Sequence, residues 1–306
     1  MKRAIAELRV LLPLYERTGD PAVYAEIERL TELLPAEDGI PMEFFWHYQQ
    51  MRLLVEMTQV LWHGRTDYVV GGNNFIYYSL DQAEAVVDDV PTAYRGPDFF
   101  IITGVDPSRQ REKWVGWLEG HKYPDLIIEL LSKTTAAQDR TTKKEIYQNI
   151  FRTQEYFWYH AYRREFEGFE LVDGVYVPKA RNERGWMWSD VLGVWVGVYP
   201  SVFDHRRFRW LRFIYPDGTP VPHKTEWFEA QQRIAEEQRR LAEEQRLLAE
   251  QARQQAEQER RRAEQERLRA EQARQQAEQE RLRAEQATAE LERLKQRLRE
   301  LGADIE

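Results

Sequence analysis

The chain has 306 residues and 42% hydrophobic content, enough for one domain of roughly 150–250 residues plus an extension. Residues 229–306 hold 19 acidic and 17 basic side chains and residues 1–228 hold 33 and 27, which excludes the overall basic excess of a strong nonspecific nucleic-acid binder and leaves such a role to a local patch. The absence of cysteine removes disulfides, Cys-type zinc sites and thiol nucleophiles, and with no signal-peptide pattern and no apolar run of about 18 residues a cytosolic protein without membrane contact is expected.

In chain order, Ala4, Leu8, Val10, Leu11 and Leu14 precede a break at Gly19 and Pro21, and Val23, Ile27, Leu30 and Leu33 follow. These predict an N-terminal helical extension over residues 1–38. Past Pro41, the spacing of Phe44, Met51, Leu54, Val55, Met57, Val60 and Leu61 predicts a helix over 43–63, with Glu43 and His47 on one face. Short runs rich in Ile, Val, Phe and Tyr at 68–70, 75–78, 99–105 and 126–131 predict strands of one sheet. A polar, helix-favouring segment at 138–151 leads into an aromatic strand at 156–162, so a right-handed crossover joining two parallel strands is expected. Asp173-Gly174, between strands at 169–172 and 175–177, and Pro216-Asp217-Gly218 after a strand at 208–215 predict closing antiparallel hairpins. The expectation for residues 39–225 is an α/β domain.

From about residue 226 to 303 the composition changes to Glu, Gln, Arg and Ala without proline, and only helix fits. Alanine recurs every seven residues at 242, 249, 256, 263, 270, 277 and 284, and the series continues as Leu291 and Leu298. A second seam of Ala287, Leu294 and Leu301 completes an a/d pattern at the end, so pairing is expected to be strongest there. Two readings follow: self-association through a coiled coil, or a charged single-helix spacer supported by i,i+4 pairs of Glu and Arg.

Candidate chemistry concentrates at strand ends. Asp98 opens one strand and Glu129 sits inside the apolar run Leu126 to Leu131, where an ionised carboxylate needs a cation, a hydrogen-bond partner or a raised pKa. A hard divalent cation such as Mg²⁺ shared by the two acids would supply the charge; alternatively Glu129 points to solvent and Asp98 caps a turn. On the following helix Asp139, Lys143 and Tyr147 share a face and could meet the carboxylates, or could form a surface ion pair beside a half-buried tyrosine.

The ordered set Pro97-Asp98, Tyr123 to Ser132, Asp139, Lys143, Tyr147 and Glu155-Tyr-Phe-Trp158 resembles the Uma-type endonuclease family over roughly residues 40–220. That family is assigned to the PD-(D/E)XK nuclease superfamily with a restriction-endonuclease-like fold. The resemblance implies Asp98 and Glu129 as metal ligands, joined by the carbonyl of Leu130, with Lys143 as the catalytic lysine moved onto the helix and Glu43 as an accessory acid. Asp139 and Tyr147 are supporting candidates. Two departures stand out: the superfamily's usual lysine position is Leu131 here, leaving Lys133 and Lys144 as competitors of Lys143, and His160-Ala161 replaces the family's Asp-Pro.

Six dispersed histidines show no zinc-site pairing, and the ten tryptophans read as core more than as base-stacking platforms. Arg109, Arg111, Lys113 and Lys122 form the candidate patch for backbone phosphates, or a solvated loop. Together these features lead to the expectation of a Mg²⁺- or Mn²⁺-dependent endonuclease acting on nucleic acid, with DNA as the expected substrate, oligomerised or tethered by its coiled coil. The competing expectation is a noncatalytic interaction protein built on the same fold.

Overall fold

The computed structural model describes residues 1–36, 45–90, 93–94, 96–131 and 139–300. In chain order the elements are α1 (Lys2–Thr18), α2 (Pro21–Glu32), α3 (Phe45–Leu61), β1 (Tyr68–Gly71), β2 (Ile76–Tyr77), α4 (Leu80–Val87), β3 (Phe99–Thr103), β4 (Trp114–Val115) and β5 (Leu126–Leu130). Then come α5, β6 (Glu155–His160), β7 (Glu165–Val172), β8 (Val175–Pro178), β9 (Met187–Ser189), β10 (Val194–Phe203), β11 (Arg206–Ile214) and α6 (Lys224–Glu300). Helix α5 is composite: π-helical at Asp139–Lys143, α-helical at Lys144–Ile146 and π-helical again at Tyr147–Phe151. The architecture is mixed α/β, as expected.

Apart from Glu129 and Thr103, strands β3 and β5 are apolar on both faces, and they are almost wholly buried, which makes them the centre of a sheet covered on both sides. The sheet has six strands in the order β1-β3-β5-β6-β7-β8, and β5–β6 is its one parallel pair. This pair is the product of the expected strand–helix–strand crossover through α5. One face packs Phe99, Ile101, Ile128 and Phe157 against Leu53, Leu54 and Met57 of α3 and against the antiparallel sheet β11-β10-β9. The other packs Phe100, Ile102, Ile127 and Tyr156 against Ile146, Tyr147 and Phe151 of α5. Buried Gln50 pins α3 to the small sheet, donating to the Leu211 carbonyl at 2.9 Å and accepting from the Leu211 amide at 2.8 Å.

Several elements differ from expectation. Segment 75–78 leaves the main sheet: β2 pairs with β4 in a parallel ribbon, and the side-chain amide of Gln82 on α4 donates to the carbonyls of Ile76 and Tyr94. Helices α1 and α2 pack beside α4 and this ribbon, where Arg9 bonds Asp81 and Glu84 at 2.6 and 2.8 Å. The strand expected at 99–105 stops at Thr103 because Gly104 turns into the left-handed region. The hairpin of β10 and β11, turning at the left-handed pair Asp204-His205, adds to the expected turns; Pro216-Asp217-Gly218 also reverses the chain as expected, with Ile214 bridging Pro220 antiparallel and the Val221 amide donating to the Phe213 carbonyl at 2.8 Å.

The chain forms two compact units, Met1–Glu229 and Ala230–Glu306. The described part of the second unit is helix, and every residue from 231 to 297 is exposed. At about 1.5 Å rise per residue, the 77 residues of α6 make a rod of roughly 115 Å.

Candidate active site

The register of β3 on β5 pairs Phe99 with Ile128, and one step further places Asp98 across from Glu129. Opposed residues in an antiparallel pair project from the same face. Here it is the face covered by α5. The Asp98 carboxylate reaches across the strands and accepts the Leu130 amide hydrogen bond at 2.7 Å, tying its position to the backbone beside Glu129. Its other oxygen lies 3.1 Å from Nε2 of His47 on α3, and both side chains are nearly buried. Burial alone would raise the Asp98 pKa, but a protonated His47 at 3.1 Å, the charge of Lys143 and the Leu130 amide hold it well below the usual carboxylate range.

Glu129 is fully buried and meets α5 with both oxygens. The Tyr147 hydroxyl donates to Oε1, and Nζ of Lys143 stands 3.2 Å from Oε2. Burial, followed by the Glu129 charge, pushes the Tyr147 phenol well above its ordinary value, so it stays a donor. Tyr94 packs against Tyr147 at a ring separation of 6.0 Å and near-perpendicular angle. The competing lysine, Lys144, turns away and lies 3.5 Å over the Phe169 ring. Glu43, Lys133 and the Asp139 side chain lie outside the described residues.

The geometry thus joins Asp98, Leu130, Glu129, Lys143 and Tyr147, which the sequence singled out, with His47, which it noted but assigned no role. The available signal was the one-turn spacing of His47 from Glu43. By contrast, the expected phosphate patch is internally engaged. Arg109 pairs with Glu28 and Glu119, Arg111 with Glu119, and Lys122 with Asp125 at 2.8 Å, while Lys113 donates to the carbonyls of Glu32 and Leu34. These cations brace the loop after β3 against α2 and the start of β5: Arg109, Arg111 and Lys122 are paired with carboxylates, and Lys113 is held by backbone carbonyls.

The model of the family described as "Uma2: Putative restriction endonuclease" matches residues 40–198, just over half of the chain and all of the strands that carry these acids. The chain belongs to the Uma2 family. Uma2 proteins fall within the restriction-endonuclease-like superfamily, in agreement with the mixed sheet and its flanking helices. No curated protein matches the chain.

An oxygen-rich pair of acids suits the divalent ion implied by this superfamily. Asp98 and Glu129 are two hard carboxylate donors on adjacent strands, and a buried carboxylate such as Glu129 gains most from a cation. Among the described residues no group of three His, Cys, Asp or Glu side chains converges, so the pair would need the Leu130 carbonyl, water or substrate oxygens to fill a coordination shell.

Proposed function

We propose that this Uma2 protein is a Mg²⁺- or Mn²⁺-dependent endonuclease that hydrolyses phosphodiester bonds in DNA, with the helical tail acting as an oligomerising coiled coil. The observation that carries this reading is the meeting of Glu129 with Lys143 and Tyr147 directly across the strands from Asp98. Asp98 and Glu129, with the Leu130 carbonyl, would hold the ion, which supplies Lewis acidity and lowers the pKa of bound water. Asp98, kept ionised well below neutral pH, would offer a full negative charge throughout the working range. Lys143 would orient the attacking water and offset charge on the phosphate, while Tyr147 fixes the Glu129 carboxylate through its hydrogen bond. Glu43 is retained in the proposal as an accessory acid from the start of the α3 segment. For the tail, Leu291 and Leu294 are each more than half exposed in a single chain, which a partner helix would cover.

The test is cleavage of supercoiled and linear DNA with Mg²⁺ or Mn²⁺ by wild type, Glu129→Ala and Lys143→Ala, each checked for unchanged folding by circular dichroism. Loss on the order of 10²–10³-fold is expected for Lys143→Ala if it stabilises the transition state. Equal cutting by all three proteins removes the assignment.

A further inference from the structure

Beyond the acids, the described residues form a cleft of about 680 Å³ at the ends of β6 and β7, lined by Trp158, Glu167, Arg164, Arg181, Arg184 and Arg209 among others. Its place in the sheet follows from register. Trp158 is the partner of Glu129 across the parallel β5–β6 pair, and Glu167 is the partner of Trp158 across β6–β7. With strands about 4.8 Å apart, the β7 rim of the cleft lies on the order of 10 Å from Glu129. Trp158 and Glu167 share the end and the face of the sheet that carry Glu129, whereas Phe166, Val198 and Arg209 lie on the opposite face, so the cleft wraps from the acid-bearing face around the start of β7 to the small sheet.

The arginines come from three separate parts of the chain. Arg164 sits in the β6–β7 turn with a left-handed backbone, Arg181 and Arg184 follow β8, and Arg209 lies on β11. The Arg209 backbone is fixed to the sheet end, since its carbonyl accepts the Tyr159 hydroxyl at 2.6 Å. Burial raises the Tyr159 phenol to about 12, against the opposing charges of Arg209 and Arg164. Arg181 pairs with Glu167 at 3.3 Å, and Glu165 also lines the cleft. Arg164, Arg184 and Arg209 have no carboxylate partner among the described residues, and all three are exposed. Arg184 stacks over Trp186 at 5.0 Å, which holds its guanidinium plane without consuming its charge.

The geometry points to this cleft as the track for the sugar-phosphate backbone of the nucleic-acid substrate, with Arg164, Arg184 and Arg209 as its phosphate contacts. Guanidinium forks match phosphate oxygens bidentately, and they are weakly hydrated enough to leave water for that contact. An acidic protein needs such a local concentration of uncompensated cations to approach a polyanion at all. The contrast with Arg109, Arg111, Lys113 and Lys122 decides between the two basic regions, because those four already spend their donors inside the fold.

This inference rests on the nuclease reading, and equilibrium binding in the absence of divalent metal separates the two. The full chain is titrated against labelled duplex DNA, single-stranded DNA and RNA across a salt series, by fluorescence anisotropy. Each lost phosphate contact lowers the slope of log K against log salt by roughly 0.9, so Arg164→Gln/Arg209→Gln should reduce it by about 2 on a duplex. Arg184→Gln should reduce it by about 1, and Arg209→Lys, which keeps the charge, should retain it. Unchanged circular dichroism melting guards against misfolding. Wild-type binding with an unaltered slope in the arginine variants, or a slope carried instead by Arg109→Gln and Lys122→Gln, overturns the cleft and leaves the nuclease reading standing. No salt-dependent binding of wild type to any of the three nucleic acids overturns both.

Discussion

In Met1–Glu229, Leu53, Leu54, Phe99, Ile128 and Phe157 lie completely out of water, whereas residues 231–297 bury nothing. The first unit is held by contacts between residues far apart in sequence, each fully buried aliphatic or aromatic side chain contributing about 1.5–3 kcal/mol. The helix beyond it draws on alanine propensity and on ion pairs one turn apart, such as Arg261–Glu257 at 2.7 Å and Arg281–Glu285 at 3.2 Å. The same chain therefore carries one region whose order is cooperative and one whose order, in a single copy, is assembled turn by turn. A binding partner for the helix would change its character without adding anything to the core of the first unit.

The sharpest way to break this contrast is a core cavity. Ile128→Ala, at the centre of β5, should destabilise the first unit by about 2–5 kcal/mol, read as a fall in its denaturant midpoint, while helical signal from the tail persists. A single joint transition at all wavelengths would show that the two regions melt as one. Alkaline pH is the next lever. Burial raises Tyr94 and Tyr147 well above their ordinary value and Tyr159 to about 12, so these groups favour the folded state below the unfolded tyrosine value near 10. That contribution drains away as pH climbs from 10 through 12. Tyrosine is absent beyond Tyr215, so near-ultraviolet signal should be lost in this window before most of the tail helix. On the acid side Asp98 has the opposite sign: its depressed pKa leaves its stabilisation intact above about 3.9, to be lost only as pH falls below that.

Smaller effects sharpen the comparison. Gln50→Ala removes both bonds to Leu211 and leaves its buried amide and carbonyl unpaired, which should cost about 1–3 kcal/mol in the first unit alone. Ala263→Gly should cost the tail about 1 kcal/mol by propensity, measured as lost ellipticity at fixed protein concentration. Concentration dependence of that loss would report pairing of helices at the alanine seam, and independence would report an isolated helix.

The central strands were legible because short, nearly continuous runs of Phe, Ile and Leu have few other uses, and the β5–β6 crossover followed from the polar helix between them. The pairing of β2 was not legible, since a two-residue strand carries no period and its partner, β4, is equally short. The β10–β11 hairpin escaped because its turn is Asp204-His205, two non-glycine residues in left-handed conformation, where a glycine turn would have announced it. Within the candidate site, Asp98, Glu129, Lys143 and Tyr147 could be named from spacing and resemblance, and only coordinates could show that Lys143 rather than Lys144 turns inward. The basic cleft was hidden for a different reason: Arg164, Arg184 and Arg209 are scattered across 45 positions of the sequence, and whether a cation is compensated depends on neighbours that a linear chain does not reveal.

The wide turns of α5 carry a consequence for how this chain tolerates change in length. A π-helical turn accommodates an extra residue relative to an α-helix, so the segment Asp139–Lys143 and the segment Tyr147–Phe151 each hold slack that a deletion would take up. Removing one residue between Glu145 and Phe151 would convert the distal turn to ordinary pitch and spare the approach of Lys143, while rotating the aromatic rings past the sheet. A deletion of one residue before Thr142 would do the reverse to the lysine. Length variants, rather than substitutions, would then separate the ammonium from the phenol as partners of one carboxylate.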